Sequence, residues 1–400
     1  MSLSGKKIVL GITGGIAAYK AAELVSSLKK QEVDVFVIMT KSACEFITPL
    51  TLETLSANRV INDMFSRSFS WEVEHISLAK KADLFAVVPA TANFIGKMAC
   101  GIADDMLTTT IMATKAPVLI APAMNTGMYQ NPIVQENIEK LRKRGMFFLE
   151  PECGRLACGD IGEGKLADVK AIENRIISLL CKKDLVGLNI LVTAGPTRED
   201  IDPVRFISNN STGKMGYAIA KNAENRGASV TLVSGKVCID RPENIKIIDI
   251  NSAQDMYDAV MSELPKQDII IKAAAVGDYR PLQKADDKIK KKDDKLILEL
   301  VKNPDILAQI GKEKTEKQTV CGFSMETNDL IENSKSKLLN KNSDLIVANN
   351  LKTEGAGFCV DTNVATLLYK DGKIDKLDIM QKSSLADIIL DEIVRIHKDK

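Results

Sequence analysis

The chain has 400 residues, of which 45% are hydrophobic and 27% are charged, and its formal net charge is +1. This length predicts about two or three domains, each large enough to bury a core. The nearly neutral charge and the 4% aromatic content argue against general electrostatic binding to nucleic acid or to an anionic membrane.

In the first half of the chain, apolar strands alternate with segments of helical period, which is typical of a parallel sheet with right-handed crossovers. The predicted strands are Lys7–Leu10, Asp34–Met39, Leu84–Pro89, Pro117–Ala121 and Met146–Leu149. The predicted helices are Ala17–Lys30, Phe94–Cys100, Met106–Thr114, Asn131–Arg144 and Val169–Lys183.

The same alternation restarts near residue 185, which predicts one domain over 1–185 and a second over 186–400. The predicted strands of the second half are Leu188–Thr193, Ser229–Val233, Asp268–Ala273, Thr319–Gly322 and Leu345–Ala348. The predicted helices are Lys214–Arg226, Met256–Leu264, Leu330–Asn340 and Leu385–Ile396. Ala365–Tyr369 and Lys373–Asp378 predict a hairpin with a type I′ turn at Asp371-Gly372. We therefore predict an α/β protein with two Rossmann-like parallel-sheet domains.

Cysteine and histidine usage argues against two further kinds of site. The eight cysteines are scattered without CxxC pairs, so neither a disulfide framework nor a zinc site is expected, and a reducing cytoplasm is the expected compartment. His75 and His397 are too few for a histidine-rich metal centre. No apolar run approaches the roughly 20 residues that a membrane-spanning helix needs. The apolar start at Ile8–Ile12 is broken by Gly14-Gly15, and we expect a buried strand there and not a signal peptide.

Three segments of the first half that are rich in polar residues or glycine follow directly on a predicted strand, and a fourth is a glycine-rich loop. Gly11–Lys20 leads from the first strand into a helix, a place where backbone N–H groups can bind a phosphate, although a plain βα turn explains that segment alone equally well. Pro89–Asn93 and Pro122–Tyr129 each follow a strand, where open α/β sheets bind their ligands. Leu156–Gly164 is a glycine-rich loop that carries Cys158.

Together these segments resemble the homo-oligomeric flavin-containing cysteine decarboxylases, a family with a flavodoxin-like fold. Thr91 and Tyr129 stand where that family often has Ser and Trp. The resemblance implies that His75 is the catalytic histidine, that Asn125 binds the substrate carboxylate and that Cys158 is the proton donor. It also implies an FMN site formed by Gly14, Gly15, Ile16, Thr40, Thr91 and Thr108.

The chemistry of that family explains why these residue types are needed. A cysteinyl carboxylate leaves poorly because the resulting carbanion has no electron sink. Hydride transfer from the thiol-bearing carbon to FMN creates the sink, and carbon dioxide then departs. Protonation and return of the hydride give the saturated aminothiol, and a cysteine, whose usual pKa is about 8.5, is a suitable late proton donor.

The second half has its own set of polar motifs. Thr193–Asp200 runs from a strand into a turn, and Asn209–Gly213 precedes a helix, a composition that suits an anion but also an ordinary capped helix. Lys272–Pro281 follows a buried strand, and Asn303-Pro304-Asp305 opens a helix, with the proline suited to its first turn. The basic run Lys288–Lys292 is, by itself, most often a solvated surface.

These motifs resemble the phosphopantothenate–cysteine ligase domain in its CTP-using bacterial form. With the first half, the resemblance covers nearly the whole chain and points to the bifunctional coenzyme A biosynthesis family, in which the decarboxylase is fused to the ligase. Gly277 and Asn210 stand where Ala and His are common. The resemblance implies that Asn209 holds an acyl-cytidylate, that Arg205 supports it and that Lys288 is needed to form it. It implies a CTP site at Ala273, Ala274, Ala275, Asp278, Lys288, Asn303, Pro304, Asp305, Ile306, Phe323, Lys337 and Lys341.

The expected ligands follow from the two reactions. A carboxylate is a poor acyl donor, so 4′-phosphopantothenate would attack the α-phosphate of CTP, expel pyrophosphate and then yield its acyl group to the amine of cysteine. Lysines and Mg²⁺, whose protein ligands the sequence does not indicate, would neutralise the separating phosphates. The resemblance also implies a homo-oligomer, with trimeric contacts through the first half, dimeric contacts through the second, and possibly a dodecamer.

Two other interpretations are weaker. A nicotinamide-dependent oxidoreductase would need a GxGxxG fingerprint and an acidic residue about 20 residues further on, and neither half has the full pattern. A non-enzymatic regulator related to the decarboxylases would lack parts of the reductive machinery, whereas His75, Asn125 and Cys158 are all present.

Overall fold

The protein is described by a computed structural model that covers residues 3–64, 73–156, 159–290, 296–326, 329–350 and 360–400. The chain divides into two compact units, Ser2–Cys181 and Lys182–Lys400. Within the described ranges, no helix combines the length and the apolar character needed to cross a membrane.

The first unit is built on a five-stranded sheet whose strand pairs are all parallel. Its strands are β1 (Lys7–Ile12), β2 (Asp34–Met39), β3 (Leu84–Ala90), β4 (Val118–Pro122), β5 (Phe147–Phe148), β6 (Glu152–Arg155) and β7 (Ile161–Lys165). Its helices are α1 (Lys20–Lys30), α2 (Lys41–Cys44), α3 (Pro49–Ser56), α4 (Glu74–Lys81), α5 (Ala92–Cys100), α6 (Met106–Ala113), α7 (Thr126–Tyr129), α8 (Pro132–Lys143) and α9 (Val169–Leu180). A 3₁₀ turn, Ile16–Tyr19, precedes α1.

The strand order β2-β1-β3-β4-β5 confirms the predicted flavodoxin-like fold. Helices cover both faces of this sheet. Ile8 and Leu10 of β1 pack into one core, while Val9 packs into the core on the other face. Because both faces are buried, the strands have continuous apolar sequences. The order reverses between β1 and β3, so the ligand crevice is expected beyond the carboxyl ends of these two strands.

The second unit has an eight-stranded sheet in the order β12-β11-β8-β13-β16-β17-β19-β20. Its strands are β8 (Asn189–Ala194), β9 (Arg198–Asp200), β10 (Phe206–Ser208), β11 (Ser229–Ser234), β12 (Lys246–Asp249), β13 (Ile269–Lys272), β14 (Tyr279–Pro281), β15 (Leu300–Lys302), β16 (Thr319–Glu326), β17 (Leu345–Asn350), β18 (Thr362–Asn363), β19 (Ala365–Tyr369), β20 (Ile374–Lys376) and β21 (Met380–Gln381). Its helices are α10 (Lys214–Asn225), α11 (Ala253–Glu263), α12 (Ile306–Glu313), α13 (Leu330–Asn340) and α14 (Lys382–Lys398), and Leu264–Lys266 forms a 3₁₀ turn.

The six parallel strands of this sheet follow the Rossmann order 3-2-1-4-5-6 when they are counted along the chain from β8. Ile190 of β8 packs with α10 and α14 on one face, and Leu191 packs with α11 and α12 on the other. The order reverses between β8 and β13. The predicted Rossmann-like fold of the second half is therefore confirmed, with an antiparallel hairpin, β19–β20, added at one edge.

The predicted type I′ turn in that hairpin is wrong. Gly372 has a φ of 90°, but Asp371 does not have the positive φ that a type I′ turn requires. The N–H of Gly372 donates to the carbonyl of Tyr369 at 3.0 Å, and the N–H of Tyr369 donates to the carbonyl of Lys373 at 3.1 Å. The loop is therefore a three-residue connection, with a tight turn followed by a left-handed glycine.

Candidate functional site

The carboxyl ends of β1 and β3 are joined by one buried hydroxyl group. Thr13 Oγ1 donates to the carbonyl of Pro89 at 2.8 Å and accepts the N–H of Thr91 at 3.0 Å. Thr91 caps the N-terminus of α5, accepting the N–H of Phe94, and Thr40 caps α2 in the same way through the N–H of Ala43. The sequence reasoning named Thr40 and Thr91 but missed Thr13, which fixes the geometry of the crevice.

The glycine turn after β1 provides a place for a phosphate. Gly14 packs so closely on α2 that a Cβ there would lie 2.3 Å from Cβ of Ser42, so no larger residue fits. Gly15 instead has open space on its side-chain face and precedes the exposed Ile16, at a 3₁₀ turn that no side chain caps. N–H groups at such a turn are available to an anion. This turn is therefore compatible with a phosphate group, and FMN contacts of Gly14, Gly15 and Thr40 stay predictions.

A second element of the first crevice is a hairpin, β6–β7, which the sequence reasoning treated only as a glycine-rich loop. The hairpin docks on the segment after β4. Asn125 Nδ2 donates to Asp160 Oδ2 at 3.0 Å, and the N–H of Met124 donates to the carbonyl of Gly164 at 2.9 Å. Asn125 also caps α7, accepting the N–H of Gly127 at 2.8 Å. The structure thus brings Asn125 together with the loop that carries Cys158 in the sequence; Cys158 itself lies outside the described residues.

Close packing between the hairpin and α7 depends on two glycines. Gly162 lies where a Cβ would be 2.6 Å from Thr126 Oγ1. Gly164 has a φ of 131°, and a Cβ there would lie 2.3 Å from the carbonyl oxygen of Met124. We call the hairpin β6–β7 the flap; in the sequence, Cys158 lies between its two strands.

The remaining predicted residues of the first site lie in other places. His75 is half-buried in the first turn of α4, and none of the hydrogen bonds that join described residues connects it with Asn125. Thr108 is 1% exposed, and its hydroxyl is engaged with Asp105 in the capping box of α6. Its hydroxyl therefore stabilises the start of α6, and its contact with the cofactor stays a prediction.

In the second unit, the loops after β8 and β13 are bonded to each other. Thr193 Oγ1 accepts the N–H of Ala274 at 3.1 Å, and Thr197 Oγ1 accepts the N–H of Gly277 at 2.9 Å. Asn209 Nδ2 reaches the same loop and donates to the carbonyl of Ala275 at 3.2 Å. The predicted acyl-cytidylate residue and the predicted CTP residues 273–275 therefore form one site at the switch point.

The far side of this loop is attached to the start of α12. Asn303 donates from Nδ2 to the carbonyl of Gly277 at 2.8 Å and from its N–H to the carbonyl of Asp278 at 2.9 Å. Asp305 is the N-cap of α12, so Pro304 lies before the helix and not in its first turn as predicted. Ile306, the first residue of α12, is buried in the core.

A charged cluster lies beside these residues. Lys337 Nζ donates to the carbonyl of Phe323 at 2.9 Å, and Lys341 Nζ pairs with Asp305 Oδ2 at 2.7 Å. Lys341 is the C-cap residue that directly follows α13. Burial, with a smaller contribution from the ammonium of Lys337, lowers the pKa of Lys272 to about 8. Burial would raise the pKa of Asp305, but the hydrogen bonds from Lys341 and from the N–H of Ala308, with the nearby ammonium charges, together hold the pKa below its usual value.

Arg205 does not reach towards Asn209. Its Nε and Nη2 donate to Asp202 Oδ2 at 2.9 and 2.5 Å, and Nη2 also donates to the carbonyl of Ile289 at 2.8 Å. Lys288, the residue before Ile289, is exposed. Arg205 therefore contacts the backbone beside Lys288, and Asp202, which the sequence reasoning missed, is its anionic partner.

A cleft of about 530 Å³ opens next to Asn209. Cationic side chains that the sequence reasoning did not assign line it, namely Arg198, Lys214 and Lys236. Lys214 pairs with Asp361 at 2.7 Å, and the guanidinium of Arg198 stacks over the ring of Phe206 at 4.5 Å. Among the described residues, no group of three or more His, Cys, Asp and Glu side chains could hold a metal ion. A magnesium ion that arrives with nucleotide phosphates needs few protein ligands.

Two family models match the chain. The model described as Flavoprotein matches residues 1–181, and the model described as DNA/pantothenate metabolism flavoprotein C-terminal domain matches residues 185–396. The coenzyme A biosynthesis bifunctional protein CoaBC of Bacillus subtilis (strain 168) is 47% identical over 401 residues, covering 99% of this chain and 98% of the relative. The protein of that name from Vibrio vulnificus (strain YJ016) is 46% identical over 394 residues, covering 98% of each chain.

The chain belongs to the coenzyme A biosynthesis bifunctional protein family. A solved structure, the C-terminal domain of a CoaBC protein, is 40% identical and covers 54% of this chain and 98% of that domain, with a TM-score of 0.47. Membership of this enzyme family confirms the resemblance that the motifs of both halves indicated. The roles of individual residues remain predictions.

Proposed function

We propose that this chain catalyses two consecutive steps of coenzyme A biosynthesis. Residues 186–400 would join cysteine to 4′-phosphopantothenate with CTP, and residues 1–185 would decarboxylate the product to 4′-phosphopantetheine with FMN. Family membership over the full length supports the pair of activities. The observation that supports the assignment of sites is that polar residues named by the motifs follow the strands at the reversal point of each sheet, among them Thr91 in the first unit and Asn209, bonded to Ala275, in the second.

In the first half, Gly14, Gly15 and Thr40 would hold the phosphate end of FMN, which supplies hydride acceptance and return when bound. Asn125 would bind the substrate carboxylate, because its amide N–H groups point to the flap side of the crevice, where Asp160 accepts one of them. Cys158, on the flap, would donate a proton to the decarboxylated product. His75 would act as the catalytic histidine that transfers a proton.

In the second half, the substrate carboxylate would attack the α-phosphate of CTP, forming a C–O–P linkage and releasing pyrophosphate. Lys337, Lys341 and Lys288 would neutralise the phosphates, assisted by Mg²⁺. Asn209 would hold the acyl-cytidylate. The amine of cysteine would then attack the acyl carbon, and CMP would leave.

The direct test is one incubation of the protein with 4′-phosphopantothenate, cysteine, CTP and Mg²⁺, in which CMP, pyrophosphate and 4′-phosphopantetheine are followed by mass spectrometry. Equal yields of CMP and pyrophosphate with formation of 4′-phosphopantetheine are expected, together with a yellow protein. Parallel incubations with ATP, and without Mg²⁺, test the nucleotide and the metal. A colourless protein that does not bind added FMN would contradict the decarboxylase assignment.

Two variants separate the halves. Cys158→Ser should stop at an oxidised, decarboxylated product while pyrophosphate release continues. Lys288→Gln should block pyrophosphate release, while decarboxylation of added phosphopantothenoylcysteine continues. A normal yield of saturated product from the first variant, or normal pyrophosphate release by the second, would remove that residue from the mechanism.

The proposal includes a homo-oligomer with trimeric contacts through the first half and dimeric contacts through the second. Exposed apolar side chains support contacts of this kind in both halves, including Ile16, Tyr19, Leu296 and Ile297. Mass measurement of the native protein tests it, and a monomer at working concentration would contradict it.

A further inference from the structure

The buried carboxylate of Asp202 connects two segments that lie far apart in the sequence. Asp202 is 1% exposed. Its Oδ1 accepts the backbone N–H of Val204 at 2.9 Å and that of Arg205 at 2.8 Å. Its Oδ2 accepts the guanidinium of Arg205 and, at 3.2 Å, the backbone N–H of Ile289. One carboxylate therefore fixes both its own turn and a residue 87 positions further on.

Both polar backbone groups of Ile289 form hydrogen bonds with the Asp202–Arg205 pair. Its N–H donates to Asp202, and its carbonyl accepts Arg205 Nη2 at 2.8 Å. The connection continues before it, where the N–H of Ala285 donates to the carbonyl of Ile201 at 3.0 Å. Lys288 directly precedes Ile289, so the backbone from which its exposed side chain extends is set by the Asp202–Arg205 pair.

The other end of the same turn leads to Asn209. The N–H groups of Ile201 and Asp202 both donate to the carbonyl of Arg205, which closes the turn between β9 and β10. β10 ends at Ser208, and the next residue, Asn209, is bonded to Ala275. Asp202 thus lies at the junction between the two residues that the proposed ligase reaction uses, Asn209 and Lys288.

A neutral side chain of the same shape could not replace this carboxylate. The amide nitrogen of an asparagine would present N–H groups to the guanidinium of Arg205 and to the N–H of Ile289, which are donors themselves. The hydrogen bonds from Arg205 also hold the pKa of Asp202 well below its usual range, so the carboxylate stays charged across the physiological pH range. Charge-assisted pairs of this kind give geometric precision.

We infer that Asp202 is a positioning residue of the ligase reaction, which holds Lys288 in place for formation of the acyl-cytidylate by clamping the backbone of Ile289. This inference rests on the ligase function and on the role of Lys288 proposed above. Asp202 touches no substrate; it acts through Arg205 and Ile289.

The test compares Asp202→Asn with Asp200→Asn in the full-length protein. Asp200 joins the same two segments through Lys284 Nζ, at 2.7 Å, but on the exposed side and without contact to Ile289. Pyrophosphate release from CTP and 4′-phosphopantothenate is measured without cysteine. Because the acyl-cytidylate is not discharged without cysteine, the release is followed as a first-turnover burst. We expect the rate constant of this burst to fall about 10- to 100-fold in D202N, as small displacements of a catalytic group cause, with a smaller change in the CTP concentration that gives half of the maximal rate. D200N should match the wild type, as should decarboxylation by the first half of both variants.

Two further measurements exclude a general loss of structure. Hydrogen exchange of the peptide that spans residues 284–290 should accelerate in D202N and not in D200N. In the background of Lys288→Arg, which retains the charge but has a different side-chain geometry, D202N should lower the rate of pyrophosphate release by a much smaller factor than in the wild type. A positioning residue has little effect once the side chain that it positions has itself been changed.

The outcomes separate the possible failures. Wild-type protein that releases no pyrophosphate from CTP, or a K288Q variant with unchanged release, would contradict the proposed function itself. If these results are as proposed, the inference is overturned by a D202N rate equal to that of D200N, by unchanged exchange at 284–290, or by equal fold-losses for D202N in the wild-type and K288R backgrounds.

Discussion

The free energy with which the flap docks on the segment after β4 should depend on Gly164, and the effect of a substitution there can be estimated from the structure. In Gly164→Ala, the added Cβ would lie 2.3 Å from the carbonyl oxygen of Met124, at a φ of 131° that side chains rarely adopt. That backbone strain costs about 1–3 kcal/mol. Relief of the overlap would break the hydrogen bond from the N–H of Met124 to the carbonyl of Gly164, which contributes about 0.5–1.5 kcal/mol.

Together these costs amount to about 1.5–4.5 kcal/mol against the docked flap, which corresponds to roughly a 10- to 2,000-fold shift of the docking equilibrium. If the docked flap brings Cys158 to the substrate as proposed, decarboxylation of phosphopantothenoylcysteine should fall by a factor within that range. The measurement is the rate of 4′-phosphopantetheine formation at saturating FMN. Ligase turnover by the second half of the same protein should not change.

Alanine substitutions at two other glycines of the flap should slow decarboxylation less than Gly164→Ala does. A Cβ at Gly154 would meet only Lys165 Cδ, at an ordinary 3.4 Å, so Gly154→Ala should behave like the wild type. A Cβ at Gly162 would meet the side chain of Thr126 at 2.6 Å, and that side chain can rotate away, so Gly162→Ala should be intermediate. Equal rates for the Gly154 and Gly164 variants would refute the argument from flap docking. Loss of bound FMN from the Gly164 variant would move the defect to the cofactor cradle.

Three further perturbations follow from the described contacts. Thr13→Val leaves the N–H of Thr91 unpaired and removes one of the two hydrogen bonds to the carbonyl of Pro89, which should cost about 1–3 kcal/mol in thermal unfolding and weaken FMN retention. Lys272 has a pKa of about 8 and loses its charge as the pH rises through that value, so CTP affinity by calorimetry should weaken between about pH 7 and 9. Asp344→Asn breaks a pair with Lys314 in which both side chains are 6% exposed, which should cost about 3–5 kcal/mol in denaturant unfolding.

Each of these has a matched control. Thr13→Ser keeps the hydroxyl and should retain FMN, and equal flavin loss from both variants would remove the hydroxyl from the explanation. Lys272→Arg stays charged, so its CTP affinity should vary less with pH than that of the wild type. The pKa of Asp344 lies below its usual value, so the pair stabilises the fold at neutral pH and this stabilisation is lost as the pH falls. Asp344→Asn should therefore lose less stability than the wild type on acidification; a parallel loss would contradict the assignment.

The sheet of each half could be predicted from sequence because its strands are buried on both faces. Ile269, Ile270 and Ile271 of β13 are all fully buried, so no alternation interrupts the apolar run. The glycine turns and the polar residues that follow the strands could be located in the same way, since they are adjacent to those runs. Helices α2, α3, α4 and α7 were missed, because segments of four to eight residues carry little helical period.

The parts of the two sites that sequence reasoning missed depend on pairs of distant segments. The role of Asp202 appears only when residue 289 folds back to it, and Thr13 is informative only beside Pro89. The type of the turn at residues 370–372 depends on whether Asp371 adopts a positive φ, which Asp-Gly permits but does not enforce. Motif resemblance identified Arg205 but could not indicate that its guanidinium faces Asp202.

Buried threonine hydroxyls stabilise the loops of both crevices, and this determines which groups remain available to a ligand. At the reversal point of a parallel sheet, the loops that leave two neighbouring strands diverge, and their first N–H groups lose the partners that the sheet provided. A threonine hydroxyl can both donate and accept, and it fills this gap at Thr13 in the first unit and at Thr193 and Thr197 in the second. These hydroxyls are buried and already bonded. Recognition of a ligand therefore falls to the groups beside them that keep open space or exposure, such as Gly15 in the first crevice and Asn209 in the second.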